Sequence, residues 1–313
     1  MKIFHLIEGE AYMSNKSGIS NQVISLPKGG GAIQGIGEKF TPDLQTGTGN
    51  YSVPITLPQG RNGFQPQLSL VYSTGNGNSP FGFGWDLSIP RVSRKTSKGV
   101  PIYDDKKDSF ILSGAEDLVA INEEIHGMTR YRPRTEGLYS RIYHHHASNH
   151  DYWETKSKDG LVSLYGEPTL MEPAIVASPI NRSKISSWFL TSTTDAFGNR
   201  IEYKYIRDEI QEEGPHHWDQ IYLSEIQYGD YGAPVNPQYL VRVKFVYEKD
   251  RTDKFSNYRA GFEIRTVQIC KRIEIFLPNE NDRPVSTYYL EYSSTDQLPN
   301  NNFSFLKRIL VEG

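Results

Sequence analysis

The chain has 313 residues, a formal net charge of −3, 27 Gly, 18 Pro and a single cysteine. So small a charge offers no general electrostatic basis for holding nucleic acid or an anionic membrane, and one cysteine excludes an intramolecular disulfide framework or a multi-cysteine zinc site. The 12% aromatic content, led by 20 Tyr, is foreign to disordered chains, while the Gly and Pro load disfavours a helical bundle and fits a chain of many turns.

At roughly 150 residues per domain the length fits one large or two medium domains. No apolar run approaches the ~20 residues of a membrane helix. A short apolar stretch follows Lys2, but Glu8 and Glu10 interrupt it and no small-residue cleavage site comes after. Residues 1–22 are therefore expected to be a flexible leader and not a signal peptide. Leu26–Gly63 is dense in Gly, Pro, Thr and Gln. Within it Tyr51, Val53, Ile55 and Leu57 alternate as a strand, and Pro54 on the other face points to a sheet edge. Leu68, Leu70 and Tyr72 repeat the pattern, and Asn76-Gly77 marks a turn. In Phe81-Gly82-Phe83-Gly84-Trp85 the glycines leave room for a ring or a backbone to come close.

From about Asp104 charged turns alternate with short strands. Asp108–Gly114 reads as a strand entering a tight turn. Tyr152-Trp153 and Leu161–Tyr165 flank Asp159-Gly160, a strong hairpin signal. Trp188–Leu190 and Ile201, Tyr203, Tyr205 flank Asp195–Asn199 in the same way. Val241, Val243, Phe245 and Tyr247 alternate cleanly, as do Ile273, Ile275 and Leu277, then Tyr288, Leu290 and Tyr292. Polar residues such as Arg242, Lys244 and Glu274 stand between them, the mark of strands with one buried and one wet face. No long stretch keeps a helical period, Tyr258–Arg272 being the least regular. The pattern predicts an all-β chain of roughly a dozen or more strands in large twisted antiparallel sheets. Phe303–Leu310 starts one more apolar strand, which suggests either that a partner strand is missing or that the chain belongs to a longer protein.

Several clusters invite chemistry. His144-His145-His146 with His150 and Asp151 raises a metal site: on a strand His144 and His146 would share a face. The helical spacing of a His-Glu-x-x-His metalloprotease is absent, and a solvated loop is the expectation; the same holds for His216-His217. Gly29-Gly30-Gly31 beside Lys28 lacks the Lys and hydroxyl that close a phosphate-binding loop. Asp104-Asp105, Glu123-Glu124 and Glu212-Glu213 are adjacent pairs whose members diverge on a strand, so they are read as exposed turns and not as a glycosidase dyad. Tyr203, Tyr205, Tyr288 and Tyr292 could form a stacking platform for sugars or bases, but a sheet core is favoured. Cys270 is expected to be a buried small hydrophobe. No catalytic, cofactor-binding or metal-binding residue is assigned.

The ordered motifs Ile24–Glu38, Gly47–Ile55, Pro66–Tyr72 and Phe81–Trp85 resemble the SpvB-type N-terminal region of the B subunit of insecticidal toxin complexes. Trp188–Leu190 with Asp195–Tyr205 resembles the Rhs/YD-like shell strands of that family, and Phe255–Thr266 with Cys270–Ile273 is also typical of it. The resemblance implies residues 23–125 as an SpvB-like N-terminal β region and 126–313 as a Rhs-like shell β region, cut short relative to full B subunits. It implies a non-enzymatic role: part of a β-shell that, with a C subunit, encloses a cytotoxic effector, and that meets the A subunit in the full-length protein. The absence of a recognisable signal argues for synthesis in the bacterial cytoplasm, with secretion or release by lysis or a dedicated exporter. The alternatives are the N-terminal part of an ADP-ribosylating toxin, or a free-standing carbohydrate-binding module. Thr191-Ser-Thr-Thr194 only loosely echoes the Ser-Thr-Ser element of the transferases, and their downstream Glu-x-Glu is absent.

Overall fold

The alternating runs fold as strands whose apolar side chains point to one shared interior. A computed structural model describes residues 2–3, 39–43, 48–113, 116–121, 126–134, 140–146, 151–169, 172–208, 212–232, 236–249, 251–278, 283–293 and 303–313. The Ile24–Glu38 motif with Gly29-Gly30-Gly31, Glu123-Glu124 and His150 lie outside them. Among the described residues the regular structure is β throughout, apart from one 3-10 turn at Arg61–Gly63.

Four strands form a small antiparallel sheet, in the order β1 (Lys39–Asp43), β2 (Thr48–Pro54), β3 (Ser69–Ser73), β4 (Trp85–Leu87). A sixteen-stranded sheet holds most of the rest. Its first strands are β5 (Arg91–Arg94), β6 (Phe110–Leu112), β7 (Glu116–Ala120), β8 (Met128–Pro133) and β9 (Arg141–His145). Then come β10 (Tyr152–Lys156), β11 (Val162–Tyr165) and the long β12 (Ile185–Thr194). Each pairs with the next, and β12 pairs back onto β5, with Trp188 opposite Val92. The eight strands β5–β12 are thus a closed ring, which leaves no sheet edge open.

A second arm leaves β12. It runs through β13 (Arg200–Arg207), β14 (Ile221–Tyr231), β15 (Gln238–Glu248), β16 (Ile269–Phe276), β17 (Ser286–Tyr292) and β18 (Leu306–Glu312). The small sheet packs on this arm. Val53, Ile55, Leu68, Leu70 and Trp85 share one core with Ile226, Val243, Ile273 and Leu290. Two tyrosines bolt the layers together: the Thr56 amide donates to the Tyr288 hydroxyl at 2.8 Å, and the Tyr228 hydroxyl donates to the Pro58 carbonyl at 2.6 Å.

Three expectations change. Pro54 was expected at a sheet edge, yet β2 is an inner strand; Pro54 is tolerated because pairing with β1 ends at Lys39 opposite Ser52, so no ladder bond is asked of its nitrogen on that side. Leu277 does not continue the Ile273–Ile275 face; the strand stops at Phe276 and Leu277 is exposed. The strand begun at Phe303 does not lack an outer partner: Lys2 and Ile3 pair with Val311 and Leu310.

The glycine-aromatic run works as its pattern implies. Gly84 has φ +81°, and a Cβ placed there would run into the Tyr72 ring, which packs against Trp85 at 5.5 Å. Gly198, at the β12–β13 turn, also has a positive φ (+86°) but faces open space. Gly84→Ala should therefore lower unfolding free energy by about 2–4 kcal/mol and Gly198→Ala by only about 1. Urea denaturation of both variants checks this; equal losses would mean that the Tyr72 contact is not what fixes Gly84.

Candidate functional site

Alternation along β9 sends Ile142 and His144 into the ring and Arg141, Tyr143 and His145 outward. His144 is therefore not in a solvated loop; it sits on a strand and is fully buried. Its ring stacks on Trp153 at 4.3 Å and its Nε2 hydrogen-bonds Asp151 Oδ1 at 2.9 Å. Trp188 Nε1 donates to the same oxygen at 2.7 Å. His146 does share the His144 face, with ring centroids 5.1 Å apart, but bonds Thr129. Phe110 and Tyr131 complete the ring's filling, and burial pushes the Tyr131 phenol up to about 12. Among the described residues no group of three or more His, Cys, Asp or Glu is set to hold a metal.

Arg94 closes the same interior. Its Nε donates to the Ile185 carbonyl at 2.8 Å, and its two other nitrogens reach Asp108 at 2.9 Å and Asp105 at 2.6 Å. The guanidinium lies over Phe110 at 4.9 Å. Asp105, expected in an exposed turn, is instead a partner of this buried cation.

A second polar knot joins three distant segments. Arg251, 3% exposed, donates from Nε to Asp253 Oδ1 at 2.7 Å and from Nη1 to the Ser79 carbonyl at 2.5 Å. Asn78 Nδ2 donates to Asp253 Oδ2 at 2.9 Å, and the Ser304 amide and hydroxyl donate to the same carboxylate. Phe83 and Phe303 stack at 5.0 Å beside it. Burial alone would raise the Asp253 carboxyl; hydrogen bonds from Arg251, Ser304 and Asn78 outweigh it and hold it below the ordinary value.

A third knot centres on fully buried Asp219. It takes the Arg207 guanidinium, Arg182 Nη1 at 2.6 Å and the Ala177 amide at 2.8 Å. His216 is likewise no loop residue: it belongs to the two-residue strand His216–His217 and bonds Glu263 at 2.7 Å. Sequence reasoning missed Arg251, Asp253 and Asp219, because their partners lie far away along the chain and leave no local signature.

The tyrosines form core and no platform. Tyr203 and Tyr288 are buried, the Tyr205 hydroxyl donates to Leu190, and that of Tyr292 donates to the Cys270 carbonyl. Burial pushes the Cys270 thiol far up, which leaves it a packed hydrophobe as expected. On β12 the Thr191 hydroxyl donates to the Leu164 carbonyl at 3.1 Å, and Thr193 bonds Ser163. What these groups do together is hold strands and loops in place: each buried carboxylate described above is matched by a cation, an indole or an amide donor.

Comparison with known proteins follows the same lines. The family model described as SpvB, Salmonella virulence plasmid 65kDa B protein, matches residues 43–250 and 230–278. The mono(ADP-ribosyl)transferase SpvB of Salmonella typhimurium is 30% identical over 330 aligned positions, which cover 85% of this chain and 54% of that protein. The chain thus spans about half the length of the curated relatives it matches. The crystal structure of TcdB2-TccC3 superposes with a TM-score of 0.72 at 30% identity, covering 88% of this chain and 16% of that one. The N-terminal domain of effector protein SpvB from Salmonella typhimurium strain LT2 gives 0.70 at 27% identity, covering 83% and 98%.

The Arg251 knot makes a direct prediction. Arg251→Met leaves Asp253 buried without its cation and should cost about 3–5 kcal/mol. Because the folded Asp253 carboxyl lies below its unfolded value of 3.8, its contribution is complete above that value and is lost as pH falls through the folded one. Wild-type stability measured between pH 6 and pH 2.5 should fall more steeply than that of the variant; parallel curves would show that Asp253 is not held by Arg251.

Proposed function

Since the chain belongs to the Salmonella virulence plasmid 65kDa B protein family, whose model spans most of it, we propose that it is a non-catalytic wall segment of a bacterial Tc-type toxin assembly. In this reading it pairs with a C-type subunit and helps enclose and deliver a cytotoxic effector, with the A subunit met by the full-length protein. The observation that carries the reading is the shared backbone: one fold matches both a portion of TcdB2-TccC3 and nearly the whole N-terminal domain of SpvB. A closed ring continuous with a broad arm is suited to a wall. The ring has no open edge, and the arm is covered on one face by the small sheet, so strand pairing and apolar burial both run without a break. Release from the producing cell is part of the same proposal. No helix among the described residues is long and apolar enough to cross a membrane.

A second reading is favoured by the relatives' names. The curated matches are mono(ADP-ribosyl)transferases, and the chain covers about half of their length; in this reading it is the non-catalytic half of such a toxin. The two readings separate experimentally. Co-expressed with a TccC-type subunit, the wall segment should co-elute with it in size exclusion and shield its cargo from added protease. The purified chain should transfer no label from radioactive NAD to host-cell extract. Label transfer would overturn the non-catalytic reading, and failure to associate with a C-type subunit under any co-expression condition would overturn the wall.

A further inference from the structure

Three loops meet at the end of the molecule where β12 begins. Residues 95–108 follow β5, which pairs antiparallel with β12, so they emerge beside the start of β12. The turn 178–184 leads directly into β12 and is tied to β5 by the Arg94–Ile185 hydrogen bond. The third is the tight turn 257–262, closed by the Gly261 amide donating to the Tyr258 carbonyl at 2.8 Å. Tyr103 joins all three. Its hydroxyl donates to the Ala260 carbonyl at 2.5 Å, its ring lies 6.4 Å from that of Phe262, and Lys184 Nζ stands 5.8 Å from its centroid. Tyr103 has φ +64°, a left-handed conformation that is costly for so bulky a side chain. Asp108 holds it there by accepting the Ile102 and Tyr103 amides at 3.1 and 2.8 Å.

Large apolar side chains stand out from each loop. Val100 is 59% exposed, Ile102 61% and Ile180 87%, and Tyr258 is exposed on the third loop. Exposed apolar residues need no explanation when scattered singly, but these share one end. The charges there have one sign. Every exposed charged residue of the three loops is a cation: Lys98, Lys106, Lys107, Arg182, Lys184 and Arg259. The loops' own carboxylates are turned to other work, Asp105 and Asp108 by Arg94 and Asp104 by Lys107 at 3.2 Å. Arg182 is matched by Asp219 at 2.6 Å, and Lys106 lies in the field of Asp104. Lys98, Lys184 and Arg259 are in no ion pair among the described residues; Asp117, on the side of Lys98, is held by Lys95 at 2.6 Å. Glu213, on the hairpin beside the third loop, is taken by Lys254 at 3.2 Å.

We propose that this end of the molecule rests on the surface of an anionic lipid bilayer. Val100, Ile102, Ile180 and Tyr258 enter the headgroup layer, while Lys98, Lys184 and Arg259 meet the lipid phosphates and carboxylates. Such binding is peripheral and needs no spanning helix. Charge complementarity fixes the sign of the surface, and the form of the patch fixes its class. A protein partner anchors a few side chains in matching pockets, whereas these stand on the tips of separate loops, a relief to which a fluid headgroup layer conforms. Two of the three unpaired cations are lysines, which protein interfaces deplete and which reach lipid headgroups on long flexible stems. The chain's net charge of −3 does not oppose this, because charges beyond a Debye length of the contact are largely screened.

The test is co-sedimentation of the whole chain with vesicles of phosphatidylcholine alone or of an equal mixture of phosphatidylcholine and phosphatidylserine. The chain should bind the mixed vesicles about tenfold or more tightly, with affinity falling as salt rises. Lys184→Gln with Arg259→Gln should weaken that binding about tenfold or more, and Ile102→Ser with Ile180→Ser should weaken it similarly. Phe197→Ser is the control, since Phe197 is 82% exposed but lies at the opposite end of β12; it should bind as the wild type does. A direct readout comes from Ile180→Trp, whose added fluorescence should shift to the blue on mixed vesicles and be quenched by brominated lipid, while that of Phe197→Trp should do neither. No binding, equal binding to both vesicle types, equal loss in Phe197→Ser, or no quenching in Ile180→Trp would each overturn the proposal. So would preferential binding of a soluble oligoglutamate peptide, which would make this end a protein-docking surface.

Discussion

One strand carries the architecture. Along one edge of Ile185–Thr194, β13 pairs with the C-terminal part and β5 with Ser187–Phe189. Along the other edge, β11 and the short strand Ile175–Ala177 take the same two stretches. Four segments thus share the backbone donors and acceptors of a single ten-residue strand. The register shifts where β11 gives way, between Leu164 and Tyr165, as an irregularity must where the ring and the arm diverge. Without this double pairing the ring would open at β5 and the arm would lose its root. Trp188, facing inward from the shared stretch, ties backbone to core by meeting Trp153 edge-on at 5.9 Å and donating to Asp151.

The buried ions follow from the same constraint. A large sheet needs long connections, and connections carry polar backbone that must be satisfied when covered. Arg251 answers this by donating to the Ser79 and Gln268 carbonyls while Asp253 accepts the Ser304 amide. Asp219 does the same for the Ala177 amide, and its partner Arg207 donates to the Ile175 carbonyl. Such groups add little net stability compared with apolar packing of the same shape. What they supply is a fixed position between segments that are not paired with one another as strands.

Much of the fold was legible because period-two alternation is a local property. Val241–Tyr247, Tyr288–Tyr292 and the Asp159-Gly160 and Gly198-Asn199 turns all announce themselves within a few residues. The buried role of His144 was not legible. A run of three histidines looks polar, and only the ring's closure, with Trp153 stacking and Asp151 accepting, makes one of them an interior residue. The same holds for Asp105, a turn residue whose partner Arg94 reaches it from β5.

Ring closure has a kinetic side as well. Val92 must find Trp188 across a loop of roughly a hundred residues, and the entropy of that closure comes before any reward from the pairing. The strands from β6 to β11 can form as successive hairpins, each local and fast. The contact between β5 and β12 cannot, so until it forms the nascent ring presents two unpaired edges. A chain built this way spends its most aggregation-prone moments just before it becomes edge-free, and the polar and charged residues along β5, Arg91 and Ser93 among them, stand where an intruding strand would otherwise dock.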